Sequence, residues 1–287
     1  MKSTRRLGPA DREALDAFLL KHRASSMFLR SNAYQAGLQD GPDRYQGLYV
    51  GQFDGDILAD VAAHYWNGHI ILQAPTAPVE LAAAVARESQ RPVTGVIGPW
   101  SQVRVVEPKM DLDRSHLGKV VPEYLYTLDL DALNVPQTLT TETVQHRLAV
   151  LDDVPTLVAW RRVYDRITMG FPEHAIDDAR NERMFNAAIE DRRLWVLEDK
   201  GRAVAMTSFN AVLPDTVQVG GVFTPEENRG RGYARSVVAG SLTEARAAGV
   251  TDAILFTEVD NIAAQKAYES LGFVRVGDYA MVVLDPS

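Results

Sequence analysis

The stretch Gly220-Gly221-Val222-Phe223-Thr224-Pro225-Glu226-Glu227-Asn228-Arg229-Gly230-Arg231-Gly232-Tyr233-Ala234 carries the densest chemical signal in the chain. It reads as a strand ending in two glycines, a loop rich in glycine and arginine, and the start of a helix. Backbone N–H groups at a helix N-terminus have no partner inside the helix, and the helix dipole favours an anion there. Gly230 and Gly232 let the loop curl close to that anion. Arg229 and Arg231 add charge, and the small Ala234 lets the helix approach. The ligand so described is a pyrophosphate; the bland alternative is a plain helix start. Two other nucleotide loops fail: Arg235 fills the last glycine position of G-x-G-x-x-G, and G-x-x-x-x-G-K-[ST] lacks its lysine. Gly220 and Gly221 inside a strand mark a bulge or a close ligand approach. A bulge there would part this strand from the next and open a slot.

A second constellation runs from Asn261 to Phe273. Asp260 or Asn261 can cap a helix. Tyr268, seven residues past Asn261, lies on roughly the same helical face, and Gly272 supplies a permissive end. Alone, Tyr268 reads as a core aromatic as readily as a catalyst.

These elements need a frame. In the N-terminal half, Gly47–Phe53, Ile57–Trp66 and His69–Gln73 read as strands joined by turns at Asp54-Gly55 and Asn67-Gly68. In the C-terminal half, Leu194–Glu198, Arg202–Val212 and Val217–Phe223 repeat the meander, with turns at Lys200-Gly201 and Pro214-Asp215. Helical stretches precede both: Asp11–His22 and a weaker one before Gly37, then Asp152–Tyr164 and Ile176–Glu190. The agreement in order and spacing points to an internal duplication. Helix Gly232–Ala248, strand Ala253–Glu258, helix Ile262–Leu271 and strand Val274–Leu284 follow, which implies a mixed sheet with helices on both faces.

Taken together, residues 143–284 resemble the GNAT superfamily of acyl-CoA N-acyltransferases. The family loop pattern Arg/Gln-x-x-Gly-x-Gly/Ala falls on Arg229, Gly232 and Ala234, and its later pattern on Asn261, Tyr268, Gly272 and Phe273. The paired architecture is similar to tandem GNAT proteins. The resemblance implies an α/β (α+β) fold of two tandem GNAT-like domains, each a mixed, splayed sheet flanked by helices. Residues 1–132 would be a degenerate domain, 133–143 a linker and 144–287 the catalytic domain.

It further implies acetyl-CoA as co-substrate, without a metal. Backbone groups at Val222, Phe223 and Thr224 would hold the pantetheine arm. Amides of Arg229, Gly230, Arg231, Gly232, Tyr233 and Ala234 would hold the pyrophosphate, with Asn261 beside the cofactor. Tyr268 would protonate the departing thiolate. The activity implied is acetyl transfer to a primary amine of a small molecule by direct attack in a ternary complex. Glu258, at a strand end, is the first candidate base; a solvated strand end, a capping partner and a water relay stay open. Glu173 and His174 sit where a substrate-facing loop or an ordinary surface loop would lie. A non-catalytic acyl-CoA sensor is the competing reading.

The N-terminal half reads Gln73-Ala74-Pro75-Thr76-Ala77-Pro78 at the equivalent loop, without arginine or Gly-x-Gly. Its prolines remove donors, so no CoA site is expected there. His64, Trp66 and His69 flank a turn and read as hairpin packing. The formal net charge of −8 disfavours nucleic acid as a partner, since phosphate neutralisation needs surplus Lys and Arg. That includes aminoacyl transfer from tRNA, known in some tandem relatives of the fold. The chain has no cysteine, so disulfides and thiolate metal sites are excluded. Its six histidines show no metal-ligand spacing. No apolar run is long enough to span a membrane. A cytoplasmic monomer or homodimer is expected.

Overall fold

A computed structural model describes residues 2–113, 117, 120–140 and 144–284. The chain forms two compact units. The first runs to Leu125 and takes up the chain again from Gly277; the second is Tyr126–Val276.

In the first unit, edge strand β1 (Lys2–Arg6) leads into helices α1 (Arg12–Lys21) and α2 (Met27–Ala36). The meander β2 (Gly47–Asp54), β3 (Ile57–Tyr65) and β4 (His69–Gln73) follows, then α3 (Pro78–Ser89), β5 (Gly95–Pro99) and α4 (Trp100–Val106). Both expected turns fall where the strands reverse. The strands pair antiparallel from β1 to β4, and β4 pairs parallel with β5.

Strand β6 (Glu123–Asp129) opens the second unit from Tyr126 onward and borders β11, named below. The short α5 (Gln137–Thr140) follows; it lies within the stretch read as a linker, and Thr141, Glu142 and Thr143 of that stretch lie outside the described residues. Next come β7 (Gln145–Leu148), α6 (Val154–Tyr164), a π-helical turn (Asp165–Met169) and α7 (Asp178–Glu190). The second meander is β8 (Leu194–Asp199), β9 (Arg202–Val212) and β10 (Thr216–Phe223). Then come α8 (Tyr233–Ala247), β11 (Asp252–Glu258) and α9 (Ile262–Ser270). The two units thus repeat one order: strand, helix pair, three-strand meander, helix, parallel strand, helix.

The last strand, β12 (Val274–Val283), begins in the second unit and finishes in the first. There Tyr279–Val283 pair antiparallel with Gly95–Pro99 of β5. Its Ala280 and Val282 are fully buried in the first unit's core with Leu48, Ile70, Leu72, Leu81 and Val103. Apolar alternation along the strand makes this seat possible, because every second side chain meets the same face.

The core under the second meander joins Leu194 and Val196 of β8, Met206 of β9 and Phe223 of β10 to Leu157 of α6 and Phe185 of α7. Burial of such side chains is the main favourable term, at roughly 1.5–3 kcal/mol each. Among the described residues no helix is long and apolar enough to cross a membrane.

Candidate active site

The second unit's sheet opens between β10 and β11. Their parallel register runs Thr216↔Asp252 to Val219↔Leu255 and stops there, although β10 continues to Phe223 and β11 to Glu258. The cause lies on the other side of β10. Gly220 opposes Ser208 and Phe223 opposes Met206, so one extra residue of β10 is spent as a bulge. Gly221 within it has φ +59°, a conformation costly for any residue with a Cβ. Ser208 Oγ donates to the Gly220 carbonyl at 3.2 Å and fastens the bulge. The slot expected from the paired glycines is therefore present.

Past the slot the chain turns through Pro225 and a 3-10 turn, Glu226–Asn228, into the loop. Arg229 Nε donates to the Thr224 carbonyl at 3.2 Å and ties the loop's two ends. Gly232 is the N-cap of α8 in the left-handed region, φ +78°, and no side chain caps the helix. The amides of Tyr233, Ala234 and Arg235 therefore have neither an intrahelical nor a capping partner. Arg229, Gly230 and Arg231 are exposed and Ala234 is half-buried.

Two expected site residues turn their side chains inward. Tyr233 is buried and its hydroxyl donates to Asp199 of β8. Phe223 is buried against Trp160 of α6, with ring centroids 6.0 Å apart. Only their backbones face the loop and slot. Val222 is half-buried within the bulge.

Asn261 is the N-cap of α9: its Oδ1 accepts from the Ala264 amide at 3.1 Å. A ligand would meet its NH2 side. Glu258 ends β11, half-buried, and its carbonyl accepts from Asn261 N and from Gln265 Nε2, each at 3.1 Å. Tyr268 is the buried residue of α9 and lies edge-on to Phe273, centroids 6.1 Å apart. Burial, and secondarily the nearby Tyr164 at the end of α6, pushes the Tyr268 phenol well above its ordinary range. The phenol therefore holds its proton at neutral pH. Glu173 and His174 are exposed; Glu173 sits 3.7 Å from Arg162.

Sequence reasoning missed Arg235 except as a misfit to another motif. Its Nε is buried with no hydrogen-bond partner, as is Thr224 Oγ1. Both atoms flank the loop. Coenzyme A brings a diphosphate and an amide-bearing arm. Open amides at α8, orphaned donors beside them, and a parted strand edge fit those two groups. Among the described residues no three His, Asp or Glu side chains are grouped to hold a metal.

The first unit differs at the same point. Helix α3 starts at Pro78, and the fully buried Asp60 of β3 occupies its approach. Asp60 accepts from Thr76 N at 2.6 Å, Ala77 N at 3.2 Å and Thr76 Oγ1 at 2.5 Å. Gln102 Oε1 takes the Ala74 amide at 2.7 Å. A Cβ on Gly98 would stand 2.9 Å from the Leu72 carbonyl, so β4 and β5 stay close beyond their register. His64 is buried between Ser89 Oγ and the Gly68 carbonyl, and Trp66 packs edge-on against Tyr45 and Tyr65, as hairpin packing requires.

The chain is similar to known proteins in family and in fold. Residues 158–273 match the acetyltransferase (GNAT) family, a span that begins in α6 and closes on Phe273. The second unit thus carries a GNAT domain, of a family that performs acyl transfer. An acetyltransferase of the GNAT family from Colwellia psychrerythraea shares the fold at 17% identity and TM-score 0.54, over 98% of this chain and 99% of that one. A related N-acetyltransferase from Sphaerobacter thermophilus does so at 16% identity and TM-score 0.56, over 98% and 94%. A Drosophila protein is similar at 10% identity and TM-score 0.61, over 99% of both chains. These likenesses span both units and show the tandem GNAT-like fold. No protein of curated function matches the chain in sequence.

Proposed function

We propose that this protein is an acetyl-CoA-dependent N-acetyltransferase acting on a primary amine of a small molecule, by direct attack in a ternary complex within the second unit. The observation that carries the reading is the parting of β10 from β11 after Val219 and Leu255, with the uncapped, glycine-entered start of α8 beside it. Acetyl-CoA supplies an acyl group activated as a thioester.

The chain's own residues do the rest. Amides from Arg229 to Ala234 bind the diphosphate, and backbone groups of Val222, Phe223 and Thr224 line the slot as a strand edge that pairs with an amide-bearing arm. Tyr268 carries its phenolic proton at neutral pH; because burial makes the phenol a weaker acid, it hands that proton to the leaving sulfur in concert with cleavage of the C–S bond. Glu258, or a water that it holds, accepts the proton of the amine. Asn261 fixes the start of α9 and so the position of Tyr268. Domain 1–132, with Asp60 and Gln102 filling its equivalent positions, serves as scaffold and takes no CoA. The acidic net charge supports a small acceptor over nucleic acid.

Calorimetric titration of the protein with acetyl-CoA, with Gly232→Glu as control, tests the reading. One saturable site per chain, abolished by the substitution, followed by thiol release with members of an amine panel, is the expected result. A wild-type protein that binds no acyl-CoA would overturn it. Binding without turnover on any amine would leave a sensor.

A further inference from the structure

We infer that Asn210 selects the acceptor: its carboxamide donates to a carbonyl oxygen beside the reacting amine, which makes an α-amino amide the favoured substrate class. The inference rests on the proposed acetyl-transfer reading and adds the chemistry of the acceptor to it. Asn210 is the residue of β9 left over where its register with β10 shifts, between the pairs Gln218↔Ala211 and Val219↔Phe209. Released from the ladder, its carboxamide lies over the bulge, with Nδ2 in the place that a Cβ on Gly220 would take. Gly220, unlike Gly221, has no left-handed φ, so the carboxamide and not the backbone calls for a glycine there. Ser208 Oγ, which donates to the Gly220 carbonyl at 3.2 Å, shares its proton with Asn210 Oδ1 at 3.4 Å. That contact sets the carboxamide's orientation. Asn210 is exposed, and its Nδ2 donors have no partner among the described residues.

The carboxamide stands on the face of the sheet that the chemistry uses. Met206, two residues before Ser208 on β9, packs with Leu157 of α6 and Phe185 of α7. Phe209 points the other way, onto Trp195, whose indole donates to Glu244 of α8. Ser208 and Asn210 therefore lie on the α6 side, where Tyr164 at the end of α6 neighbours Tyr268 of α9. An amine that approaches a thioester in the parted edge from this side passes over Gly220 and meets Asn210. Two neutral N–H donors suit a carbonyl oxygen, and the carboxylate of Glu258 at the end of β11 disfavours an acid in its place. Because Gly220 borders the slot, that oxygen must lie close to the reacting nitrogen, as it does in an α-amino amide.

The test compares kcat/KM for glycinamide and for isobutylamine, which has the same shape without the oxygen, in wild type, Asn210→Ala and Gly220→Ala. The ratio of the two values in each protein cancels the difference in amine basicity. Asn210→Ala should lower the ratio about tenfold, the worth of one hydrogen bond, with isobutylamine turnover and acetyl-CoA affinity unchanged. Gly220→Ala, which displaces the carboxamide without altering it, should lower the ratio likewise. An unchanged ratio in Asn210→Ala would overturn the inference, as would an equal loss on both amines. If wild type acetylates other amines but neither of these two, only the inference fails; if it acetylates no amine, the acetyl-transfer reading fails with it.

Discussion

The rings of Tyr268 and Phe273 meet at an interplanar angle of 66°, five residues apart, across the end of α9. Edge-to-face contact fixes the orientation of a phenol whose hydroxyl has no hydrogen-bond partner among the described residues. Tyr268→Phe keeps the ring contact and removes only the hydroxyl. Turnover should fall by roughly 10²–10⁴-fold with acetyl-CoA affinity unchanged. Thiol-release kinetics beside calorimetry reads both, and intact turnover would remove Tyr268 from the chemistry.

Burial raises the phenols of Tyr49, Tyr65, Tyr268 and Tyr279, with Tyr65 also raised by Tyr49 and Tyr268 by Tyr164. A raised folded-state value means that the folded protein prefers the protonated form. The associated stability is fully present below the ordinary tyrosine range near 10 and is lost as pH climbs above it. Urea midpoints should hold steady from about pH 7 to 9 and drop beyond about pH 10. A midpoint that stays level to about pH 12 would contradict the burial of these hydroxyls.

Gly221→Ala puts a Cβ 2.9 Å from Ser208 Oγ, on a backbone with φ +59°. The strain should cost about 1–3 kcal/mol and disturb the bulge that opens the slot. Thermal melting should fall and the acetyl-CoA dissociation constant rise together. Loss of stability with unaltered binding would separate the bulge from the slot.

Asp60→Ala removes a carboxylate that satisfies two backbone amides and a hydroxyl in the first unit. Leaving those donors buried should cost about 2–3 kcal/mol. Turnover per folded molecule should match wild type. A denaturation series paired with initial rates decides it, and an activity defect without a stability defect would give Asp60 a part in turnover.

A chain ending at Val276 loses the residues of β12 that pair with β5 and that fill the first unit's core. Removing several buried side chains worth roughly 1.5–3 kcal/mol each approaches the whole stability of a domain. Limited proteolysis should show the first unit cut throughout while full-length protein resists. Resistance of the truncated chain would show the strand to be dispensable.

The sequence exposed local features well and non-local ones poorly. The meanders and their turns follow from alternation and turn residues, and the loop before α8 from the spacing of Arg229, Gly232 and Ala234. The doubled glycines carried the bulge at Gly220 and Gly221 because few other reasons place them inside a strand. The seat of Gly277–Val283 beside β5 was hidden, since strand alternation names a face and not a partner. The inward turn of Tyr233 toward Asp199 and of Phe223 toward Trp160 depends on packing from distant elements. Arg235 escaped for a like reason: what distinguishes it is a buried, unpartnered nitrogen, which no spacing encodes. Asn261 shows the reverse: the sequence offered the cap to it or to Asp260, and the structure gives it to Asn261.

The seat of β12 also sets an order of events in time. Pro99 of β5 pairs with Tyr279, so the first unit's sheet waits for residues made after the whole of the second unit's meander. At about 5–20 residues per second, the β5 edge stays open for roughly ten seconds or more of synthesis. An open parallel-sheet edge is a template for pairing with other chains, and the first unit completes its sheet only after Tyr126–Val276 of the second have been made.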